Sequence, residues 1–162
     1  MDEPIITLDS FTQKIESDTD KKALIAVHER LMQHGYKMHG KQTGAQQSGF
    51  DIKYSIKSRK PIVQVLYKKN KDAGYEIHMR PLHVAQYASH FSELTEHIRD
   101  CCVSGKDCTQ CGYCDKAYKY EVEGVKYCKC QFICYNFRFE NIEEADVDSI
   151  LQILEMELEH IR

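Results

Sequence analysis

Eight cysteines, all between Cys101 and Cys134, constrain this chain more than any other feature. The first 100 residues contain none. The run reads Cys101-Cys102, then Cys108-x2-Cys111-x2-Cys114, then Cys128-x-Cys130-x3-Cys134. A disulfide framework distributes its cysteines along a small secreted chain, which this chain does not do. Cys-x2-Cys spacing lets one turn of backbone present two thiolates to one metal ion. Two such steps share Cys111 and a distal cysteine group follows, so the spacing predicts a metal site.

The remaining sequence sets the frame for that site. Met1-Asp2-Glu3-Pro4 is acidic and lacks an apolar stretch, unlike a secretory signal. A reducing cytoplasmic setting is expected, and disulfides rarely persist there. With 162 residues the chain suits a single domain, 1–162. Within it, 1–48 is an N-terminal helical segment and loop, and 101–134 is the cysteine-rich subregion. The 42% hydrophobic and 29% charged shares are those of a globular protein rather than a disordered one. No apolar run approaches the length of a membrane span, so no membrane partner is expected. A formal net charge of −3 argues against a nucleic-acid binder.

Hydrophobic periodicity gives the order of elements. Residues 9–34 read as helical, with Asp18 or Thr19 as cap and Gly35 as stop. Leu24, Val27 and Leu31 share one face. Residues 37–48 are polar and contain glycine, which reads as a loop. Alternation then predicts three strands, 50–56, 62–67 and 75–79, as an antiparallel meander. Residues 84–102 return to helical period, with Val84, Tyr87, Phe91, Leu94 and Ile98 on one face. After the cysteine-rich loop comes a hairpin. A two-residue turn at Glu123-Gly124 sets Val122 opposite Val125 and Tyr120 opposite Tyr127. Its second arm runs on to Tyr135, Phe137 and Phe139. Asn141 caps a last helix that buries Val147, Ile150, Leu151, Leu154 and Leu158. The expected class is α+β: an antiparallel sheet of meander plus C-terminal hairpin, packed with helices, with a metal knuckle before the hairpin.

The hairpin register selects ligands. It sets Cys130 opposite Ala117, close to Cys114, and Cys134 near Tyr113. Cys128 faces Lys119, roughly 17 Å of strand beyond Cys114. The expected set is therefore Cys108, Cys111, Cys114 and Cys130 around one Zn2+ ion. Cys134, Cys128, Cys101 and Cys102 remain alternatives for the fourth place. Four thiolates saturate tetrahedral zinc and leave no position for water, so such a site is structural. Coupled to folding, it supplies on the order of 10 kcal/mol. Cys128 reads more simply as a small buried residue of the sheet.

Other chemistries compete. Two Cys-x2-Cys steps with a distal cysteine also suit an iron–sulfur cluster and electron transfer. Surplus thiols near the site suit a redox or metal sensor. His83, His90 and His97 recur every seven residues, which a solvated helical stripe explains. Lys57-x-Arg59-Lys60 and Lys68-Lys69-x-Lys71 read as solvated strand ends. No catalytic triad, phosphate loop, HExxH or paired-carboxylate motif is legible. The expectation is a non-enzymatic small-ligand-binding or regulatory module. Its ten Tyr and six Phe would line a pocket or a homodimer interface.

From Gly49 onward, "GFDIKYSIKSRKPIVQVLYK", "GYEIHMRP", "CTQCGYC", "YEVEGVKYCKC" and "FRFENIEEADVDSILQILEMELE" carry a family likeness. This stretch resembles small uncharacterised bacterial proteins with a cysteine-rich loop. The resemblance implies a cytoplasmic location and assigns no functional residue.

Overall fold

The computed structural model describes residues 6–43, 49–57, 59–68, 75–110, 117–131 and 136–161. Short α1 (Leu8–Thr12) leads into α2 (Asp18–Gln33). Ser17, one residue before the expected caps, accepts the Asp20 N–H and starts α2. Ala23, Leu24, Val27 and Leu31 form the buried stripe of α2. Gly35, at φ +79°, ends it in the left-handed conformation that glycine takes without penalty.

Strands β1 (Lys37–Thr43), β2 (Gly49–Ser55), β3 (Val63–Lys68) and β4 (Tyr75–Met79) follow in an antiparallel meander. β1 corrects the reading of 37–48 as loop. It is an edge strand, so Lys37, His39 and Lys41 stay in water while its backbone pairs with β2. Gly40 fits there because a Cβ would meet the Ile6 Cβ at 2.7 Å. Residues 44–48 and the expected turn at 70–74 lie outside the described residues.

Strand β7 (Phe137–Glu140) pairs with β4, giving the sheet order β1-β2-β3-β4-β7. One face of this sheet is apolar across its width. Ile52, Val65, Ile77 and Phe139 stand in register, each at most 1% exposed. Tyr54, Val63, Met79 and Phe137 form the next row. Burying an aliphatic or aromatic side chain this fully contributes about 1.5–3 kcal/mol. The opposite face carries Asp51, Gln64, Glu76 and Arg138, the usual pattern for an antiparallel sheet covered on one side.

The helical run after β4 is broken into α3 (Val84–Tyr87), a 3-10 turn (Ala88–Glu93) and α4 (Glu96–Val103). Val84, Tyr87, Phe91, Leu94 and Ile98 are buried, as the periodicity predicts. Leu94 is extended at ψ 159°, which interrupts the helix. Strands β5 (Tyr118–Val122) and β6 (Val125–Lys129) form a separate two-stranded sheet. The register is the predicted one, Val122 opposite Val125 and Tyr120 opposite Tyr127. Glu123 and Gly124 both take positive φ, as this tight turn requires. The second arm does not continue to Phe139. β6 stops at Lys129, and Phe137 and Phe139 belong to the main sheet, where β4 offers them an apolar face.

Helix α5 (Asp146–His160) closes the fold against α2. Asn141 does not cap it. It takes φ +52° in the preceding turn, and the Asp146 carboxylate accepts the Glu143 N–H at 3.0 Å. The architecture is α+β, and no described helix is long and apolar enough to cross a membrane.

Candidate metal centre

The segment that carries Cys108 pairs with the outer edge of β6. Asp107 pairs antiparallel with Lys129. The Cys108 N–H donates to the Cys128 carbonyl at 2.9 Å, and the Cys130 N–H donates to the Lys106 carbonyl at 2.7 Å. Residues 106–108 thus pair with β6 through one antiparallel bridge, placing Cys108 opposite Cys128 and Lys106 opposite Cys130. Directly opposed side chains share a face, and so do residues two apart on one strand. Cys108, Cys128 and Cys130 therefore occupy one face of the hairpin.

The other face anchors this arrangement. The Lys129 Nζ lies 2.8 Å from the Asp107 Oδ1 and 5.3 Å from the Tyr127 ring centroid. Tyr127 stacks on Tyr120 at 5.6 Å. The Tyr120 hydroxyl donates to the Cys102 carbonyl at 2.6 Å, tying the hairpin to the end of α4. At the base, the Asn136 Nδ2 donates to the Cys130 carbonyl at 2.9 Å.

The cysteines differ in environment. Cys108 is half-buried, Cys128 exposed and Cys130 buried. Exposure of Cys128 corrects its reading as a small core residue. β6 turns its Tyr127 and Lys129 face inward, so Cys128 points away from the core. Lys119 is opposite Cys128 and Lys106 opposite Cys130, which sets positive charge along the cysteine face. Such charge offsets clustered thiolates. Cys101 and Cys102 belong to the core of α4, at 8% and 0% exposure. Burial pushes both thiols up from the ordinary cysteine value, Cys102 well above it. Burial in this apolar setting favours the neutral thiol over the thiolate that a metal ligand must be.

Cys111, Cys114 and Cys134 lie outside the described residues. Among the described residues no three His, Cys, Asp or Glu side chains converge as metal ligands.

Two of the periodic histidines are not a solvated stripe. His83 Nδ1 lies 2.9 Å from the fully buried Glu157, and His97 Nδ1 lies 2.7 Å from the buried Asp146. Each fastens the helical run to α5. His90 remains at the surface beside Glu93. Sequence periodicity missed these pairs because their carboxylate partners lie on a distant helix.

No protein-family model, no curated protein and no solved structure matches this chain. The geometry of the chain itself therefore carries the functional reading.

Proposed function

We propose that this is a cytoplasmic metal-binding protein whose cysteine knuckle holds one structural Zn2+ and serves a non-enzymatic, regulatory or binding role. Cys108, Cys111, Cys114 and Cys130 are the ligands. The observation that carries this reading is the pairing of residues 106–108 with β6. It brings the first cysteine of the Cys-x2-Cys-x2-Cys run to the strand end that bears Cys130. A four-thiolate shell leaves no site for substrate or water, so the metal orders the knuckle rather than catalysing.

A second reading has an observation of its own. Cys128 is exposed and stands opposite Cys108, so a spare thiol lies next to a predicted ligand. That arrangement suits a sensor whose oxidation would draw Cys108 away from the metal.

Elemental analysis of protein purified without added metal tests both. Structural zinc predicts about one Zn2+ per chain in a colourless solution, lost in Cys108→Ser and in Cys130→Ser but kept in Cys128→Ser. Loss in Cys128→Ser with retention in Cys130→Ser would move the fourth ligand to Cys128. Zinc released by mild peroxide from the native protein but not from Cys128→Ser would favour the sensor. Iron with sulfide would replace zinc by a cluster.

A further inference from the structure

A cleft of about 320 Å³ opens at the end of the main sheet where β4 leads into α3. It lies where the β2–β3 turn and the β4–α3 junction meet the C-terminal end of α5. Arg59, Lys60 and Arg80 bring positive charge to its lining, beside the imidazoles of His83 and His160. No acidic side chain lines it among the described residues. Ile56, Ile62 and Leu82 supply apolar surface.

Arg80 is the informative residue. It is 7% exposed, directly after β4, and its Nε has no hydrogen-bond partner. A largely buried guanidinium with no carboxylate partner among the described residues is costly, and an anion in the cleft supplies the missing counter-charge. Arg59 and Lys60 are exposed at the rim, where they attract an anion without having been desolvated. The two histidines are pre-oriented. Glu157 engages the His83 Nδ1, and the His160 Nδ1 donates to the Met156 carbonyl at 2.6 Å. The rings stack at 6.1 Å. Glu157 itself sits behind His83 and is already held by the Tyr87 hydroxyl and the His83 N–H, so it does not compete for Arg80.

We propose that this cleft binds a small organic oxyanion, a phosphate monoester or carboxylate carried on an apolar body. Arg80 is the buried anchor, Arg59 and Lys60 close over the charge, and Ile56, Ile62 and Leu82 take the apolar part. The volume is at the lower end of that for small-molecule sites and exceeds what a bare inorganic ion needs. No cysteine lines the cleft among the described residues, so the anion proposal does not rest on the zinc reading.

Titration of the full chain with phenyl phosphate, phenylacetate and inorganic phosphate, followed by calorimetry and by amide NMR shifts, tests this. The expected result is one-to-one binding of phenyl phosphate or phenylacetate, weaker binding of inorganic phosphate, and shifts confined to the cleft. The preferred organic probe identifies the headgroup. Arg80→Gln should weaken binding by about tenfold or more, the usual loss for a charge-assisted hydrogen bond. Should that variant not fold, the exposed double variant Arg59→Gln/Lys60→Gln should still weaken binding severalfold. No binding of either organic probe overturns the proposal. So does unchanged binding in a folded Arg80→Gln, or in the double variant.

Discussion

Gly105 lies so close to Asn136 that a Cβ on it would stand 1.5 Å from the Asn136 Oδ1 and 2.8 Å from the Asn136 carbonyl oxygen. This contact joins the segment just after α4 to the entry to β7. The same Asn136 holds the Cys130 carbonyl through its Nδ2. Displacing it therefore disturbs both the approach to Cys108 and the backbone at Cys130.

Gly105→Ala is accordingly expected to destabilise the protein by about 1–3 kcal/mol, the usual cost of overpacking a filled site. It should also weaken zinc retention against a chelator. Adding Asn136→Ala removes the side-chain clash and should recover part of the stability. Urea unfolding of the single and double variants measures both, and a neutral Gly105→Ala would show that the contact is not tight.

Glu157 is fully buried and accepts from the Tyr87 hydroxyl at 2.6 Å and from the backbone and ring of His83. Burial keeps the Tyr87 hydroxyl well above its ordinary pKa, so it stays a donor. Glu157→Leu orphans these donors and should cost about 3 kcal/mol or more. Glu157→Gln keeps an acceptor and should cost less. Equal urea midpoints for native protein and Glu157→Leu would show that the network contributes nothing net.

Asp146 gives the acid limb of stability. Burial alone would raise its pKa. The Thr95 hydroxyl at 2.6 Å, the Glu143 N–H at 3.0 Å and His97 at 2.7 Å outweigh that and hold it below the ordinary carboxylate value. A carboxylate depressed in the folded state stabilises above its unfolded pKa and loses that contribution as pH falls through the folded one. Native protein should therefore lose melting temperature steeply below about pH 4. Asp146→Asn should melt lower at neutral pH and lose less on acidification. Parallel acid limbs in thermal melts would refute this.

The sequence carried the fold where local patterning and burial agree. The β5–β6 register followed from apolar pairing about a two-residue turn, and the core face of 84–98 followed from helical period. β1 was hidden because an edge strand needs no apolar alternation. β7 was read into the hairpin because Phe137 and Phe139 suit either sheet, and only β4 decides between them. In the candidate site, spacing singled out Cys108 and the hairpin register singled out Cys130, but neither gave the exposure of Cys128, which depends on which side of β6 meets the core. The cleft was illegible for a related reason. Arg59, Arg80 and His160 come from separate segments, and nothing local distinguishes a rim lysine from a solvated turn.

The pairing of residues 106–108 with β6 has a consequence for self-association. β5 and β6 form a sheet of only two strands, and β5 covers just one side of β6. The other side would present the Cys130 N–H and the Cys128 carbonyl as a growing edge for a second chain. Residues 106–108 occupy those groups from within the same molecule. This short stretch thus covers a strand edge that would otherwise be open to pairing with another chain.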